Sequence, residues 1–409
     1  MGCIFYFHSM LLKNFSSFVK LKPVVAVGFL FACSSLLFGT WVAAIPGIKQ
    51  RLDFTDGSLG LSLLLSPLGA ITGVFLSTKV FGKIPVGKWM LAGYIIQSII
   101  MIALINSVNR PMCWVSLYCL GLVSFLNGVS SNATVNIMEQ KYDRLLMSSC
   151  HALYSLGGFV SAGFAALMFT VAVPSGLQIV IMSAIIVAIN ISNRHHLLAN
   201  KEIIHSGSGL KLPSLSILSI SFICMVLFMA EGCVADWSAI YFKEVMKAPK
   251  ELISLGYAGF SIAMTIGRLN GDSIVSVLGN KKTVIAGSLT AATGFLIVVL
   301  SEYVGLAIAG YVIIGFGCSG IVPILFRASA NIPGVSKVEG FAMVTTGGLI
   351  GFLAGPSVIG IISEKASLSK GLSLLIVMMI MAAIVAWKNK FLAGKKMESV
   401  SENFDEQLY

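Results

Sequence analysis

The chain has 409 residues, of which 56% are hydrophobic and only 11% charged. Soluble domains run near 25% charged residues, so this composition excludes an ordinary soluble protein and points to repeated membrane spans. The formal net charge of +11 comes without a basic stripe or interleaved aromatics, which argues against nucleic acid as a partner and makes the positive charge a matter of membrane topology.

The first segment, 1–22, carries Lys13, Lys20 and Lys22. The apolar run behind it is longer than the roughly 7–15 residues of a removable leader, so it reads as an uncleaved first span. The segment opens Met-Gly-Cys, but Tyr6 stands where the myristoylation pattern needs Ser or Thr. Apolar segments follow at 23–45, 58–80, 89–108, 111–137, 145–170, 174–193, 213–241, 251–276, 283–301, 304–326, 338–362 and 371–387. They predict twelve transmembrane helices and an all-α integral membrane fold. The connectors are short except 194–212, which is polar and divides the spans six and six. The expected organisation is an N-terminal segment (1–22), an N-terminal six-helix bundle (23–193), a central loop (194–212), a C-terminal bundle (213–387) and a tail (388–409).

Trp41 closes the first span. Span four carries Asn132, Asn136 and Glu139 at i, i+4 and i+7, with Asn127 pointing elsewhere. Asparagine offers two donors and two acceptor sites, suited to hydroxyl-rich cargo or, equally, to bonds between helices. Glu139 falls at the end of its span near Lys141 and Arg144, where a surface ion pair is expected. Span five opens with His151, Tyr154, Ser155 and Gly158 along one stripe. A lone histidine is commonly a packing residue; beside a phenol and a hydroxyl it also suits a transport path, since histidine titrates near neutrality.

Span seven ends in "MAEGCVADWSAIY". Glu231 lies ten residues before Tyr241, about 15 Å along a helix, which is half of a ~30 Å hydrocarbon core. A carboxylate at that depth faces a wet cavity or a partner, and marks an ion or substrate path or a structural contact. Asp236 points about 140° away from it and so forms no proton-sharing dyad. It is expected near the outer interface beside Trp237, as a gate or cap partner or as part of an aromatic belt. Span eight places Arg268 and Asp272 at i, i+4, where they either neutralise each other or leave Arg268 as counter-charge to Glu231. "TTGGLIGFLAGP" in span eleven reads as small-residue packing with a hinge at Pro356, not a phosphate loop.

Seven of eight cysteines lie in apolar runs, none forms Cys-x-x-Cys, and no histidine set stands at metal spacing. No cofactor or metal is expected. Without a Walker A, GxSxG or zinc signature the chain reads as neither an ATP-driven pump nor an enzyme.

With the N-terminus in the cytoplasm, 19 lysines and arginines fall on the cytoplasmic side and 8 on the other, with Arg268 inside a span. That bias puts both termini and the central loop in the cytoplasm. The halves also repeat. Ser58-Leu59-Gly60 returns as Ser254-Leu255-Gly256 and Trp41 as Trp237, both 196 residues on; Gly82 returns as Gly279, at 197. Internal repeats mark secondary transporters with a midplane site between the halves.

These features resemble the major facilitator superfamily over roughly residues 20–390. "EGCVADWSAIY", "NATVNIMEQKYDRLLMSSCHALYSLGG" and "GRLNGD" are similar to stretches of its fucose-permease-like group, which includes bypass-of-stop-codon inner-membrane proteins. The superfamily turn motif usually has an aspartate where this chain has Lys79 and Ser276. The resemblance implies a monomeric multi-pass protein of the bacterial inner membrane, with two pseudo-symmetric bundles alternating about a central site. The expected activity is proton-coupled symport of a small polar solute such as a sugar. Glu231 and Asp236 are the proton-coupling candidates. Trp41, Asn132, Asn136, His151, Tyr154, Trp237 and Arg268 are the substrate candidates. Glu139, Arg144, Asp272 and Lys281 are the gate candidates. Proton-antiport export of amphipathic compounds, favoured by 25 Phe and 18 Met, and a non-transporting membrane sensor or scaffold stay open.

Overall fold

The computed structural model describes residues 21–143, 146–203, 217–329, 332 and 337–393. Twelve of its helices are long and apolar enough to cross a membrane. They are α1 (Lys22–Arg51), α2 (Asp56–Phe81), α3 (Val86–Ile105), α4 (Arg110–Tyr142), α5 (Met147–Thr170), α6 (Ser175–Ser192) and α7 (Leu218–Val245), then α8 and α9 within Leu255–Leu300, α10 (Val304–Ser329), α11 (Lys337–Lys365) and α12 (Leu368–Lys388). Long continuous apolar runs cross lipid as helices, because each backbone N–H and C=O then finds its partner within its own segment. Two pseudo-symmetric six-helix bundles result.

Helix starts follow local chemistry. The side chains of Thr55, Asn109 and Ser367 accept from the backbone N–H groups of Ser58, Met112 and Lys370, capping α2, α4 and α12. Proline occupies the first turn of α1 and α4, where a missing N–H costs nothing. The reversal between α8 and α9 is made by Gly279, whose φ of 76° suits a residue without a Cβ.

Several helices outrun their apolar segments. α1 continues through Pro46 to Arg51 and buries Lys49 at 9% exposure, where the sequence suggests a loop. The reason is a pair of anions, described below, that compensates the ammonium. α7 runs to Val245, its last turn, Tyr241–Val245, being a π-helix.

Small residues set the helix spacing. α1 packs on α5 through Gly39, Ser161 and Gly157, and α7 on α11 through Gly347 and Gly351, the corresponding pair in the second half. A Cβ on Gly347 or Gly351 would collide with the carbonyl oxygens of Ser221 and Met225. This is close packing of the kind small residues permit between membrane helices.

The bundles meet at the face away from the central loop. Lys49 Nζ of α1 bonds Glu244 Oε2 of α7 at 2.6 Å and also pairs with Asp56 of α2. Asp56 in turn accepts from Ser363 of α11. Lys243 Nζ donates to Gln50 Oε1 at 2.9 Å and to the Pro46 carbonyl at 3.2 Å. Beneath these, Ser357 Oγ donates to the Gly60 carbonyl at 2.8 Å, where α2 and α11 approach glycine to glycine.

Candidate functional site

Below that seal lies a cavity of about 390 Å³ between the bundles. Its polar lining comes from both halves: Gln97, Ser124, Tyr154 and Ser155 on one side, Glu231, Asp236, Tyr257 and Arg268 on the other. The apolar remainder includes Phe38, Trp41, Phe260 and Phe352. An apolar wall bearing a few convergent polar groups is the usual make-up of a small-molecule site, and the volume lies toward the lower end of the range of about 300–1,000 Å³.

On α7 the lining residues are Glu231, Gly232, Ala235 and Asp236. At 100° per residue they span one continuous arc of about 140°, with the two carboxylates at its margins. The angle expected from sequence therefore separates them without taking either off the cavity wall. Asp236 stands on the cavity wall, and α7 continues past Tyr241 beyond it. Across the seam Asp236 has Trp41 of α1 for a neighbour, and both residues line the cavity.

Glu231 faces Arg268. The closest approach is 3.9 Å, between Oε1 and Arg268 Nη2, and the side chains are 18% and 23% exposed. Oε1 is buried and accepts no hydrogen bond. Arg268 Nη1 instead donates to Ser155 Oγ of α5 at 2.9 Å. The guanidinium is thus tied to the opposite bundle, and the carboxylate is near a countercharge but not locked to it. A carboxylate left this way is costly unless a proton or a ligand takes up the unused capacity.

The remaining sequence candidates lie elsewhere. Asn132 donates to the Gly128 carbonyl at 2.8 Å within its own helix, and Asn136 is exposed. His151 packs edge-on against Phe31, ring centroids 5.2 Å apart. Trp237 is fully buried and donates to the Pro356 carbonyl at 3.1 Å, bracing α7 on α11 and forming no interfacial belt. Glu139 accepts from the backbone N–H groups of Leu146 and Met147 at 2.6 and 2.8 Å, so it caps the start of α5. Arg144 and the side chain of Asp272 lie outside the described residues. Lys281 sits half-buried just past the Gly279 reversal.

Gln97 and Ser124 are additions to the candidate set. Gln97 is detectable by the same criterion as Glu231, a polar side chain inside "YIIQSIIMIAL". Lys49, Asp56 and Glu244 escape that criterion because each falls outside its apolar segment.

No protein-family model matches the chain. It is 32% identical over 345 residues to an uncharacterised MFS-type transporter of Yersinia pestis, covering 83% of this chain and 88% of the relative. It is 28% identical to the membrane protein MosC of Rhizobium meliloti, covering 89% of each. In structure it is similar to the nucleoside transporter NupG, with a TM-score of 0.70 at 12% identity over 89% of this chain and 99% of that one. A bacterial homologue of the human lysosomal transporter Spinster, in an inward-facing and unoccupied conformation, gives 0.69 at 12% identity over 91% and 96%. With the fold, the intramembrane cavity and the identity over most of its length, the chain belongs to the major facilitator superfamily of membrane transporters.

Proposed function

We propose that this transporter moves a small polar solute, a sugar or a nucleoside, by proton-coupled symport. The observation that carries the reading is Glu231, intramembrane and on the cavity wall, with one oxygen unpartnered 3.9 Å from an arginine that is bonded to the other bundle. Ionised, Glu231 attracts Arg268 and holds it toward the C-terminal bundle. Protonated, it releases that attraction and leaves Arg268 to Ser155 and the N-terminal bundle. A proton thereby changes the relative stability of two arrangements of the bundles, which is what coupling requires. The aromatic walls suit the apolar face of a sugar ring or a base, and the polar groups suit its edges. The bodies that rock are residues 23–193 and 213–387. The seal at Lys49 and Glu244 supports a state closed on the face away from the central loop. On the positive-inside bias that face is extracytoplasmic, and the membrane is the bacterial inner membrane.

The test is reconstitution of the monomer in liposomes under an inward-directed pH gradient, with labelled sugars and nucleosides. Wild type is expected to accumulate one of them, and Glu231→Gln to exchange it without accumulation. Equal accumulation by both proteins refutes proton coupling through Glu231. A second reading, export of amphipathic compounds by proton antiport, is favoured by Phe38, Phe125, Phe260, Phe352, Met101 and Met264 on the wall. Drug efflux without sugar or nucleoside flux would select it.

A further inference from the structure

The coupling reading makes no use of Trp89, Asn127, Gln97 or Ser124, yet they form one hydrogen-bonded row. Trp89 Nε1 donates to Asn127 Oδ1 at 3.0 Å. Asn127 Nδ2 donates to Gln97 Oε1 at 2.7 Å. Gln97 Nε2 donates to Ser124 Oγ at 3.1 Å. Gln97 and Asn127 are 3% and 0% exposed, and the row ends at the cavity wall with Gln97 and Ser124.

The direction of this row is dictated by its first member. An indole N–H donates and never accepts. The Asn127 oxygen must therefore face Trp89, which turns its amino group to Gln97. That uses the Gln97 oxygen and leaves its amino group facing Ser124. Ser124 accepts there, so its own proton is free to donate. Reversing either amide would set two donors or two acceptors against each other in a buried site, a costly arrangement. Gly93 makes room for the first link. A Cβ at that position would collide with Asn127 Oδ1 and stand 2.8 Å from Trp89 Nε1.

We infer that Gln97 and Ser124 form a donor subsite of the cavity, with Asn127 and Trp89 as positioning residues that fix its polarity from behind the wall. The ligand it takes is an acceptor oxygen of the solute: an ether, a carbonyl or a hydroxyl accepting through its lone pair. The carboxylates of Glu231 and Asp236 lie on the other bundle and take the solute's donors. The cavity is thus polarised across the seam, which fixes the orientation of a solute as well as its presence. This inference rests on the small-polar-solute reading above.

The experiment measures binding to full-length purified protein by the shift in thermal midpoint. The probes are D-glucose, D-galactose, L-fucose and uridine, each with its singly deoxygenated and singly O-methylated derivatives. An O-methyl group keeps the acceptor and removes the donor; deoxygenation removes both. Wild type is expected to bind one parent, to tolerate O-methylation at one position, and to lose about 3- to 10-fold in affinity when that oxygen is removed, the worth of one such hydrogen bond. Gln97→Leu is expected to abolish that discrimination. Trp89→Phe, which keeps the ring and removes the orienting donor, is expected to reduce it while leaving the unliganded midpoint within a few degrees. A bound parent whose deoxy and O-methyl derivatives rank alike in wild type and both variants overturns the donor subsite alone. Absence of binding by every probe to wild type overturns the small-polar-solute reading and the subsite with it.

Discussion

Replacing Lys49 by Met should open the face that the structure shows sealed. The Lys49 ammonium is shared by Asp56 of its own bundle and Glu244 of the other, with side-chain exposures of 11%, 17% and 38%. Met keeps most of the aliphatic volume and removes the charge. In the sealed state the variant loses one charge-assisted hydrogen bond across the seam, worth about 1.5–3 kcal/mol. It also leaves two carboxylates facing each other, up to about 4 kcal/mol at an effective dielectric near 20. Glu244, 38% exposed, swings into water and sheds most of the repulsion. The net cost to the sealed state is then about 2–3 kcal/mol, or about 30- to 150-fold in the ratio of sealed to open. Once the bundles part, the two carboxylates separate, so the open state pays little. Spin labels at Val108→Cys and Tyr303→Cys, 77% and 75% exposed on turns of opposite bundles at this face, report the distance by electron–electron double resonance. Cys3 and Cys119 are replaced by Ser to leave only buried thiols. Lys49→Met is expected to gain a longer distance population, and adding Glu244→Gln to reverse only a small part of that gain, since most of the cost is the lost bond across the seam. If Lys49→Met keeps the wild-type distribution, the ion pair does not hold the seal and the reasoning is wrong.

Gly60→Val should open the same face by a different route. A Cβ at Gly60 already stands 3.1 Å from the Gly360 Cα and the Pro356 carbonyl, so the longer label distance is expected there too, without rescue by Glu244→Gln. Trp237→Phe should lower the thermal midpoint by the equivalent of about 1 kcal/mol through loss of the bond to Pro356. Its effect on solute affinity should be within twofold in a binding titration, since the ring is buried away from the cavity. Glu139→Gln should destabilise by about 1 kcal/mol in denaturant titration, because its carboxylate serves two N–H groups at the start of α5. Asn136→Ala should leave both stability and solute affinity unchanged, its side chain being exposed on α4.

Some of this protein was already determined by the sequence read alone. Twelve spans, the six-and-six division and a carboxylate deep in span seven are local consequences of hydrocarbon. It requires apolar length, a backbone that satisfies itself, and a reason for every charge. Tertiary structure decided which polar groups converge. Trp41 and Trp237 look equivalent by repeat, yet one lines the cavity across the seam from Asp236 and the other is buried against Pro356. Asn132 and Gln97 look equally polar, yet only Gln97 reaches the cavity. Lys49 and Glu244 read as loop charges until their helices prove longer than their apolar runs and meet 195 residues apart in the chain. Periodicity shows which residues share a helix face. It does not show which way that face is turned, because the rotation of each helix is set by close packing against neighbours that sequence distance does not reveal.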